Sequence, residues 1–306
     1  MSSALPLISV IMPAYNCERY VKYAIDSILN QTHSHLELLI ADDGSIDSTK
    51  KIIDSYTDPR IKTFHNTHNQ GYLKTSNSLV RKCMGSFITF QDADDACHES
   101  RLELLLKEFS INPALGCVGS FVNRIDQSNN VMELMTLKCD DNEIKADLPY
   151  FFNCIGSALM VKKQVIDDIG LYEEYFDRCG SEDLYWFGLV AKKYETKNLP
   201  TPLYYYRHTP NSISNEINKS PKKQMSIEIV KHSLIYFYRT KKSLLKNQYN
   251  LKVLESYLIG KCYCWRKDYK KGLQLIAKSI FLNPFGWNER YSLLKTYLPK
   301  LVSKRG

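Results

Sequence analysis

The first 125 residues alternate short apolar runs with amphipathic helical segments, and this alternation leaves few possible folds. The apolar runs lie at residues 7–12, 36–41, 61–64, 87–90 and 117–122. Between the first two runs, apolar side chains recur with the spacing of a helix at Val21, Ala24, Ile25, Ile28 and Leu29. Short buried strands separated by helices are typical of a doubly wound, mostly parallel sheet covered by helices on both faces. The pattern therefore predicts an α/β fold.

The rest of the chain gives weaker patterns. We predict strands at 131–137, 156–161 and 203–206, a helix over 162–169 that ends at Gly170, and a helix over 183–192. From about residue 222 the pattern is helical without strand signals. Residues 257–278 followed by 287–294 resemble one helix-turn-helix unit of the tetratricopeptide kind, which is too little to predict a repeat array.

Charge divides the chain at nearly the same place. Residues 216–306 hold 20 Lys/Arg and 5 Asp/Glu, a local charge of +15, whereas residues 1–215 carry −7. An acidic body with a basic tail indicates that the two parts face different partners. Because no nucleic-acid-binding motif accompanies the basic residues, we expect no nucleic-acid partner.

Cysteine usage and hydropathy narrow the setting. The nine cysteines are odd in number and scattered, and no Cys-x-x-Cys pair occurs, which argues against a disulfide framework and a zinc ribbon. No stretch reaches the roughly 18 consecutive apolar residues of a transmembrane helix. We therefore expect a cytoplasmic protein in a reducing environment.

Polar side chains follow three of the predicted strands. In an open parallel sheet, ligands bind at the carboxyl ends of the strands. Pro13-Ala14-Tyr15-Asn16 follows the first strand, Asp42-Asp43-Gly44-Ser45 the second, and Gln91-Asp92-Ala93-Asp94-Asp95 the fourth. These three segments are the candidate binding site.

The acidic segment after the fourth strand indicates a metal site. Asp92 and Asp94 are two residues apart, so both side chains of an extended segment can face one point. Their charges repel unless a cation lies between them, and carboxylates suit Mg²⁺ or Mn²⁺, with substrate phosphates as further ligands. In the alternative, Asp95 caps the next helix and the other two carboxylates are merely solvated.

Two more acids have a functional and a structural interpretation. Asp43 either accepts a hydrogen bond from a nucleotide base on which Tyr15 stacks, or belongs to a plain Asp-Gly turn with Tyr15 as an ordinary aromatic residue. Asp183 lies in Gly180-Ser181-Glu182-Asp183-Leu184-Tyr185-Trp186, at the start of an apolar helix. It is either a first-turn acid favoured by the helix dipole, or a general base whose pKa burial beside Trp186 raises.

Taken in order, these residues resemble glycosyltransferase family 2 over about residues 7–215. The resemblance is carried by SVIMPAYN at 9–16, LNQT at 29–32, LIADDGS at 39–45, NQG at 69–71, Asn77, Gly85, FQDADD at 90–95, IGLYEE at 169–174, SED at 181–183 and YYRH at 205–208. It implies a GT-A fold at residues 1–221, with a nucleotide-binding half at about 1–125 and an acceptor half at about 126–221. Residues 222–306 would form a basic helical C-terminal extension.

The resemblance also implies an inverting transfer of a hexose from a nucleotide-sugar, with UDP-sugars as the expected donors. The residues implied in donor binding are Pro13, Tyr15, Asn16, Asp43, Lys74 and Asp92. Asp183 would be the catalytic base, and Asp94 with Asp95 would hold Mn²⁺ or Mg²⁺. His208 is a further candidate metal ligand, although it directly follows Arg207 where the family spaces the two apart. Ser76 stands where family members often carry an arginine, with Lys74 nearby.

The implied acceptor is a glycan or a lipid-linked glycan, in surface polysaccharide or lipopolysaccharide biosynthesis. The basic tail would then make peripheral contact with the inner face of an anionic membrane, or would be a solvated helical cap. Two alternatives stay open at this point. One is a catalytically degenerate module that binds glycan or membrane, and the other is a sugar nucleotidyltransferase. The latter would need a glycine-rich phosphate loop where residues 13–16 stand.

Overall fold

A computed structural model describes residues 5–148, 154–178, 180–209, 260, 264, 268–282, 294–296 and 298–299. The chain divides into two units, Met1–Ser220 and Pro221–Gly306. Within the described ranges, no helix combines the length and the apolar character needed to cross a bilayer.

The first unit is built from alternating strands and helices. Its strands are β1 (Ile8–Ala14), β2 (Leu36–Asp42), β3 (Ile61–His65), β4 (Phe87–Phe90), β5 (Ala96–Cys97), β6 (Leu115–Ile125), β7 (Val131–Met135), β8 (Met160–Lys162) and β9 (Glu195–Arg207). Its helices are α1 (Val21–Leu29), α2 (Thr49–Asp54), α3 (Tyr72–Val80), α4 (Arg101–Ile111), α5 (Asp141–Asp147), α6 (Lys163–Ile169) and α7 (Glu182–Lys193). Two 3₁₀ turns lie at Gly156–Ala158 and Glu174–Phe176.

The strands form one sheet in the order β3-β2-β1-β4-β8-β6-β9-β5, and β7 pairs with β6 at the side. β1 is parallel to β2 and β4, and β2 is parallel to β3. Beyond β4 the sheet is mixed, because β8 runs antiparallel to both β4 and β6, while β6 and β9 are parallel. The predicted α/β fold is confirmed, and the parallel character is concentrated in the first half.

Burial explains why the strands of the first half could be predicted from the sequence. Every residue of β2 is buried, and β1 is buried throughout except for the half-buried Pro13. Strands covered on both faces are continuous apolar runs rather than alternating ones. On α1 the apolar stripe predicted from the sequence packs inward through Val21, Ala24, Ile25 and Ile28.

Two elements differ from the sequence prediction. The strand predicted at 156–161 begins only at Met160, because Gly156–Ala158 is a 3₁₀ turn. The strand predicted at 203–206 is in fact the 13-residue β9. Pro200 and Pro202 hide its first part, since proline is unfavourable inside a sheet. The structure accommodates it through register shifts between β9 and β6 near Pro202.

In the second unit, the described part centres on α8 (Tyr269–Leu282). Its residues Leu273 and Ile276 pack with Cys264, and Leu294 packs against that cluster. Within the predicted helix over 257–278, the described residues 260, 264 and 269–278 are helical, whereas Asp268 is not, so the prediction of one continuous helix is wrong at that residue. The predicted helix over 287–294 lies almost entirely outside the described residues.

Candidate active site

The acidic turn after β4 is braced from behind by a buried arginine at the end of β9. The Arg207 backbone N–H donates to Asp95 Oδ1 at 2.7 Å, and its Nε donates to the Asp94 carbonyl at 2.6 Å. The Arg207 side chain is almost fully buried and lies 4.5 Å from the centre of the Tyr20 ring. Arg207 therefore fixes the backbone of the turn and places positive charge behind it.

Asp92 and Asp94 of this turn both have a raised pKa, because the ionised form of each carboxyl group is disfavoured. Burial, followed by the charge of Asp94, raises the pKa of Asp92 to about 7, although Ser157 and Tyr72 donate hydrogen bonds to its carboxylate. Burial also raises the pKa of Asp94, an effect that its own backbone N–H and the charge of Arg207 oppose. A cation bound at this turn would relieve both carboxylates.

A second buried arginine supports β4 from the other side. Arg101 Nη2 donates to Thr89 Oγ1, to the Phe90 carbonyl and to the Ser157 carbonyl, at 2.8, 3.1 and 2.7 Å. Its guanidinium carbon lies 4.9 Å from the centre of the Tyr204 ring. Arg101 thus joins the end of β4 to the turn at Gly156–Ala158.

The turn at Gly156–Ala158 contacts both Asp183 and Asp92 through two adjacent residues. A Cβ atom built on Gly156 would lie 3.0 Å from Asp183 Cβ and 3.1 Å from its Oδ2, so any larger residue here would press on Asp183. The neighbouring residue, Ser157, donates to Asp92. Two carboxylates that are 91 positions apart in the sequence therefore face each other across two adjacent residues.

The environment of Asp183 suits a proton acceptor. Burial raises the pKa of its carboxyl to about 6, although the Leu184 and Asp183 N–H groups at the start of α7 favour the charged form. The Leu184 N–H donates to Oδ1 at 2.8 Å, and Oδ2 lies beside Gly156. Left-handed backbone at Arg178, Gly180 and Ser181 leads into this helix. Such backbone is unfavourable for side-chain-bearing residues, and clusters of it are typical of functional loops.

Asp43, at the end of β2, organises a loop. Its Oδ1 accepts from Asn66 Nδ2 at 2.7 Å and from the Gln70 N–H at 3.0 Å, and its Oδ2 accepts from the Gly71 N–H at 2.9 Å. The next residue, Tyr72, begins α3 and donates to Asp92. Asp43 therefore positions the start of α3 against the acidic turn, and a base-binding role stays a prediction.

The other predicted donor-binding residues surround β1 and α3. Tyr15 is 45% exposed at the end of β1, as a stacking surface must be, and Pro13 is half-buried inside the strand. Asn16 joins the two strand ends: its N–H donates to Ser45 Oγ at 3.0 Å, and its Oδ1 accepts from the Ile46 N–H at 3.0 Å. Lys74 lies on α3 with its Nζ 3.7 Å from Asp177 Oδ2.

His208 is held in a conformation that does not favour metal binding. Its Nδ1 lies 2.9 Å from Arg124 Nη2. Since an arginine can only donate, Nδ1 accepts this bond, and the neutral ring then carries its proton on Nε2. Neither nitrogen offers a free lone pair in this conformation, so the predicted ligand role requires the ring to leave Arg124.

Sequence reasoning missed three residues at the site, Tyr72, Tyr204 and Arg101, and it included Ser157 only as part of a predicted strand. The Tyr204 hydroxyl lies 3.1 Å from the Asp92 backbone nitrogen, which donates to it, across 112 positions of sequence. The only sequence signal was indirect, because Tyr72 follows the NQG segment and Tyr204 precedes the YYRH segment by one residue.

The donor set fits a divalent cation that also binds substrate. The carboxylates of this turn would supply oxygen ligands, which suit Mg²⁺ or Mn²⁺. The raised pKa of Asp92 and of Asp94 indicates that added positive charge would be favourable here. In the part of the chain that the structure describes, no three His, Cys, Asp or Glu side chains enclose a metal by themselves. A cation here would therefore take further oxygens from water or from a diphosphate.

Comparison with known proteins identifies the family of this arrangement. The family model for glycosyl transferase family 2 matches residues 9–170. A chondroitin synthase of Escherichia coli is 38% identical over 130 residues, which are 42% of this chain and 19% of that protein. An uncharacterized glycosyltransferase of Haemophilus influenzae is 28% identical over 307 residues, which cover 94% of this chain and 88% of that protein.

A solved structure shares the fold. S. aureus TarS 1-349, crystallised with UDP-GlcNAc, superimposes with a TM-score of 0.57 at 18% identity, over 88% of this chain and 83% of that one. At this level of identity the likeness shows the GT-A fold.

Proposed function

The chain belongs to glycosyl transferase family 2, and from that premise we propose that it transfers a hexose from a UDP-sugar to a hydroxyl group of a glycan or lipid-linked acceptor, with inversion at the anomeric carbon. The observation that carries the proposal is the meeting of Asp92 and Asp183 at Gly156 and Ser157. Asp92 belongs to the acidic turn, and the pKa of Asp183 is raised to about 6, as suits a general base. A donor and an acceptor could therefore be held between these two carboxylates.

The donor would lie along the carboxyl ends of β1, β2 and β4. Tyr15 would stack on the uracil ring, Asp43 and Asn16 would bind the nucleoside, Pro13 would shape the pocket, and Lys74 would neutralise the diphosphate. Asp92 would accept hydrogen bonds from the ribose. UDP is the proposed nucleotide because TarS, which shares the fold, was crystallised with UDP-GlcNAc, whereas a mannosyltransferase with the same TM-score was solved with GDP-Man and Mn²⁺.

Asp183 would act as the general base. With Oδ1 already accepting from Leu184, Oδ2 is the oxygen available for the acceptor hydroxyl. The acceptor oxygen would form a bond to the anomeric carbon as its proton passes to Oδ2, while the bond from that carbon to the diphosphate oxygen breaks. Attack opposite to the leaving group inverts the anomeric configuration. The diphosphate leaves with the electron pair.

Mn²⁺ or Mg²⁺ would bind at Asp94, with Asp95 as a further candidate. Asp94 is partly exposed, whereas Asp95 is 1% exposed and already accepts from Arg207, so Asp94 is the more accessible ligand. When bound, such an ion would stabilise the negative charge of the leaving diphosphate. Arg207 and Arg101 would keep the turn in place during this change.

Surface polysaccharide or lipopolysaccharide assembly is the proposed setting, supported by the chondroitin synthase relative. Because the chain spans only 19% of that synthase, the acceptor, the linkage and the whole-protein partners belong to the proposal. A cytoplasmic location with peripheral membrane contact through residues 222–306 is part of the same proposal.

Thermal unfolding in the presence of nucleotides tests the proposal directly. UDP, GDP, CDP and UDP-sugars are each added with Mn²⁺ or with chelator. A ligand at about 100 times its Kd stabilises the native state by roughly 2.7 kcal/mol, which raises the midpoint by several degrees. We expect a shift with UDP compounds that requires Mn²⁺, and loss of this Mn²⁺-dependent shift in Asp94→Asn. No shift with any nucleotide contradicts the proposal.

A further inference from the structure

One face of α8 is continuously exposed and carries no acid. Its exposed residues are Lys270, Lys271, Gln274, Ala277, Lys278 and Phe281. At about 100° per residue, these six positions fall within an arc of roughly 120° on one side of the helix. We refer to this set as the α8 basic face.

The opposite side of α8 is fixed by packing. Leu273, Ile276 and Ser279 are buried, and Ile276 contacts the cluster that contains Cys264. These buried residues centre on the side of the helix opposite to Gln274 and Lys278. The orientation of the basic face is therefore set by the core of the second unit.

The charge pattern differs from that of an ordinary solvated helix. Exposed helices commonly pair Glu with Lys three or four residues away, which balances the charge. Between Asp268 and Glu289 the sequence contains no acid at all, and Asp268 Oδ1 accepts the Lys271 backbone N–H at 3.3 Å at the start of α8. The face itself thus carries three lysines and no acid, within a region whose local charge is +15.

An exposed aromatic side chain completes the face. Phe281 is 85% exposed, near the carboxyl end of α8 and one turn beyond Lys278. A phenyl ring beside lysines whose stems are apolar matches the interfacial zone of a bilayer, where the ring enters the acyl boundary and the ammonium groups meet headgroup phosphates.

We propose that the α8 basic face docks the chain on an anionic lipid bilayer, with Lys270, Lys271 and Lys278 at the headgroups and Phe281 inserted between them. The occupant follows from charge complementarity and from the aromatic residue on the same face. For its purpose, bringing the active site to a lipid-linked acceptor, this inference rests on the proposed function. The docking itself does not.

Vesicle flotation of the full chain tests this surface. The probes are vesicles of phosphatidylcholine with or without phosphatidylserine. We expect flotation only with phosphatidylserine, and its loss at high salt. Each lysine near the surface contributes about 5-fold in partitioning, so changing Lys270, Lys271 and Lys278 together to Gln should weaken it roughly 100-fold. Phe281→Ser should weaken it about 10-fold, with less dependence on salt.

A matched variant separates this face from net charge. Changing Lys51, Lys82 and Lys107 to Gln removes the same charge from exposed positions of the first unit. We expect this control to float nearly as well as the unchanged chain. Equal loss in both triple variants, or flotation unaffected by the α8 changes, would overturn the proposal. Binding to single-stranded RNA without any flotation would overturn it as well.

Two further measurements keep the outcome clear. Phe281→Trp should gain blue-shifted emission on anionic vesicles relative to the unchanged chain, and an unshifted signal contradicts insertion. Thermal unfolding with UDP and Mn²⁺ should give the same shift for the α8 variants as for the unchanged chain. Flotation without any nucleotide shift would defeat the proposed function and leave the docking surface standing.

Discussion

Glu37 and Asp92 are two acids at opposite strand ends of the same sheet, and Glu37 is buried whereas Asp92 is half-buried. We call the two sides formed by the amino and carboxyl ends of β1, β2 and β4 the amino edge and the carboxyl edge. Glu37 lies near the amino end of β2 and accepts from Ser9 Oγ, Lys62 Nζ and the Met84 N–H at 2.5, 2.6 and 2.6 Å. Burial alone would raise its pKa, but these hydrogen bonds outweigh burial and lower it. Asp92, beyond the carboxyl end of β4, keeps a pKa raised to about 7 by burial and by Asp94.

The difference distinguishes an acid with a structural role from acids suited to binding or catalysis. At the amino edge, three donors from the protein compensate the charge of the buried Glu37 carboxylate. Glu37 therefore has a structural role and links neighbouring strands. At the carboxyl edge, Asp92, Asp94 and Asp183 are half-buried, and the raised pKa of each shows that the protein compensates its negative charge incompletely. Such groups favour the binding of cations or protons. Asp43 shows that donors, rather than position alone, decide the matter. It lies at the carboxyl edge, yet it accepts three hydrogen bonds and positions a loop.

Replacing Asp183, the proposed base at the carboxyl edge, should have the largest effect. Asp183→Asn keeps the shape and the bond from Leu184 but cannot take a proton, so kcat should fall by about 10²–10⁴-fold. Nucleotide binding should persist, because Asp183 is proposed to contact the acceptor and not the nucleotide. Transfer assays with a UDP-sugar and equilibrium titration with UDP measure the two quantities. Retained transfer removes Asp183 from the role of base.

The pH profile is the companion test. Asp183 must be ionised to accept a proton, and its raised pKa keeps it protonated below about pH 6. The rate of transfer should therefore rise as the pH increases through about 6. An enzyme already fully active at pH 4.5 would contradict this environment for Asp183.

At the amino edge, the expected loss is in stability rather than in rate. Glu37→Gln keeps the size of the side chain but breaks the ion pair with Lys62 and turns an amide N–H₂ toward donors. The cost should be about 2 kcal/mol, a fall in Tm of roughly 5 °C. The kcat of the folded variant should stay unchanged. A large loss of kcat at full stability would erase the distinction between the two edges.

Gly156→Ala probes how closely the site is assembled. The added methyl group would press on Asp183 from 3.0 Å, and a displacement of a few tenths of an ångström should lower kcat about 10-fold. Gly170→Ala is the matched control, because no atom lies within 4 Å of a Cβ there, while its φ of +95° strains alanine. The control should lose Tm and keep kcat. The reverse outcome would show that Gly156 matters only for folding.

The two halves of the first unit also differ in how far sequence predicts them. β1, β2 and β4 were predicted because doubly covered strands are continuous apolar runs, and polar residues at their ends marked the site. β9 was predicted only in part, since Pro200 and Pro202 interrupt the pattern that its partner β6 stabilises. Residues 156–158 were predicted as part of a strand because the apolar residues that follow them have a strand pattern. The contact between Gly156 and Asp183 is long-range and leaves no local signal.

Within the site, the acids could be predicted and their surroundings could not. Asp92 and Asp183 stand out by type and spacing, whereas Tyr204 and Ser157 reach the acidic turn only through the folded sheet. Local sequence carries no record of a hydrogen bond that spans 112 positions. The hydrogen bonds of Asp43 were likewise invisible, so its sequence pattern could not distinguish a ligand-binding acid from a loop-holding one.

The smallest and most discriminating effect should come from Asp92→Asn. Because its folded-state pKa is raised, ionised Asp92 destabilises the ligand-free protein above about pH 7, and this cost disappears as the pH falls toward 4. Asparagine resembles the neutral acid at every pH, so the variant should gain about 1 kcal/mol, or about 3 °C in Tm, at pH 8. The gain should shrink at pH 5, and the stabilisation by UDP with Mn²⁺ should be lost.

Glu37→Gln should move Tm in the opposite direction at pH 8. If both substitutions destabilised the protein there, the carboxyl edge would be ordinary architecture like the amino edge.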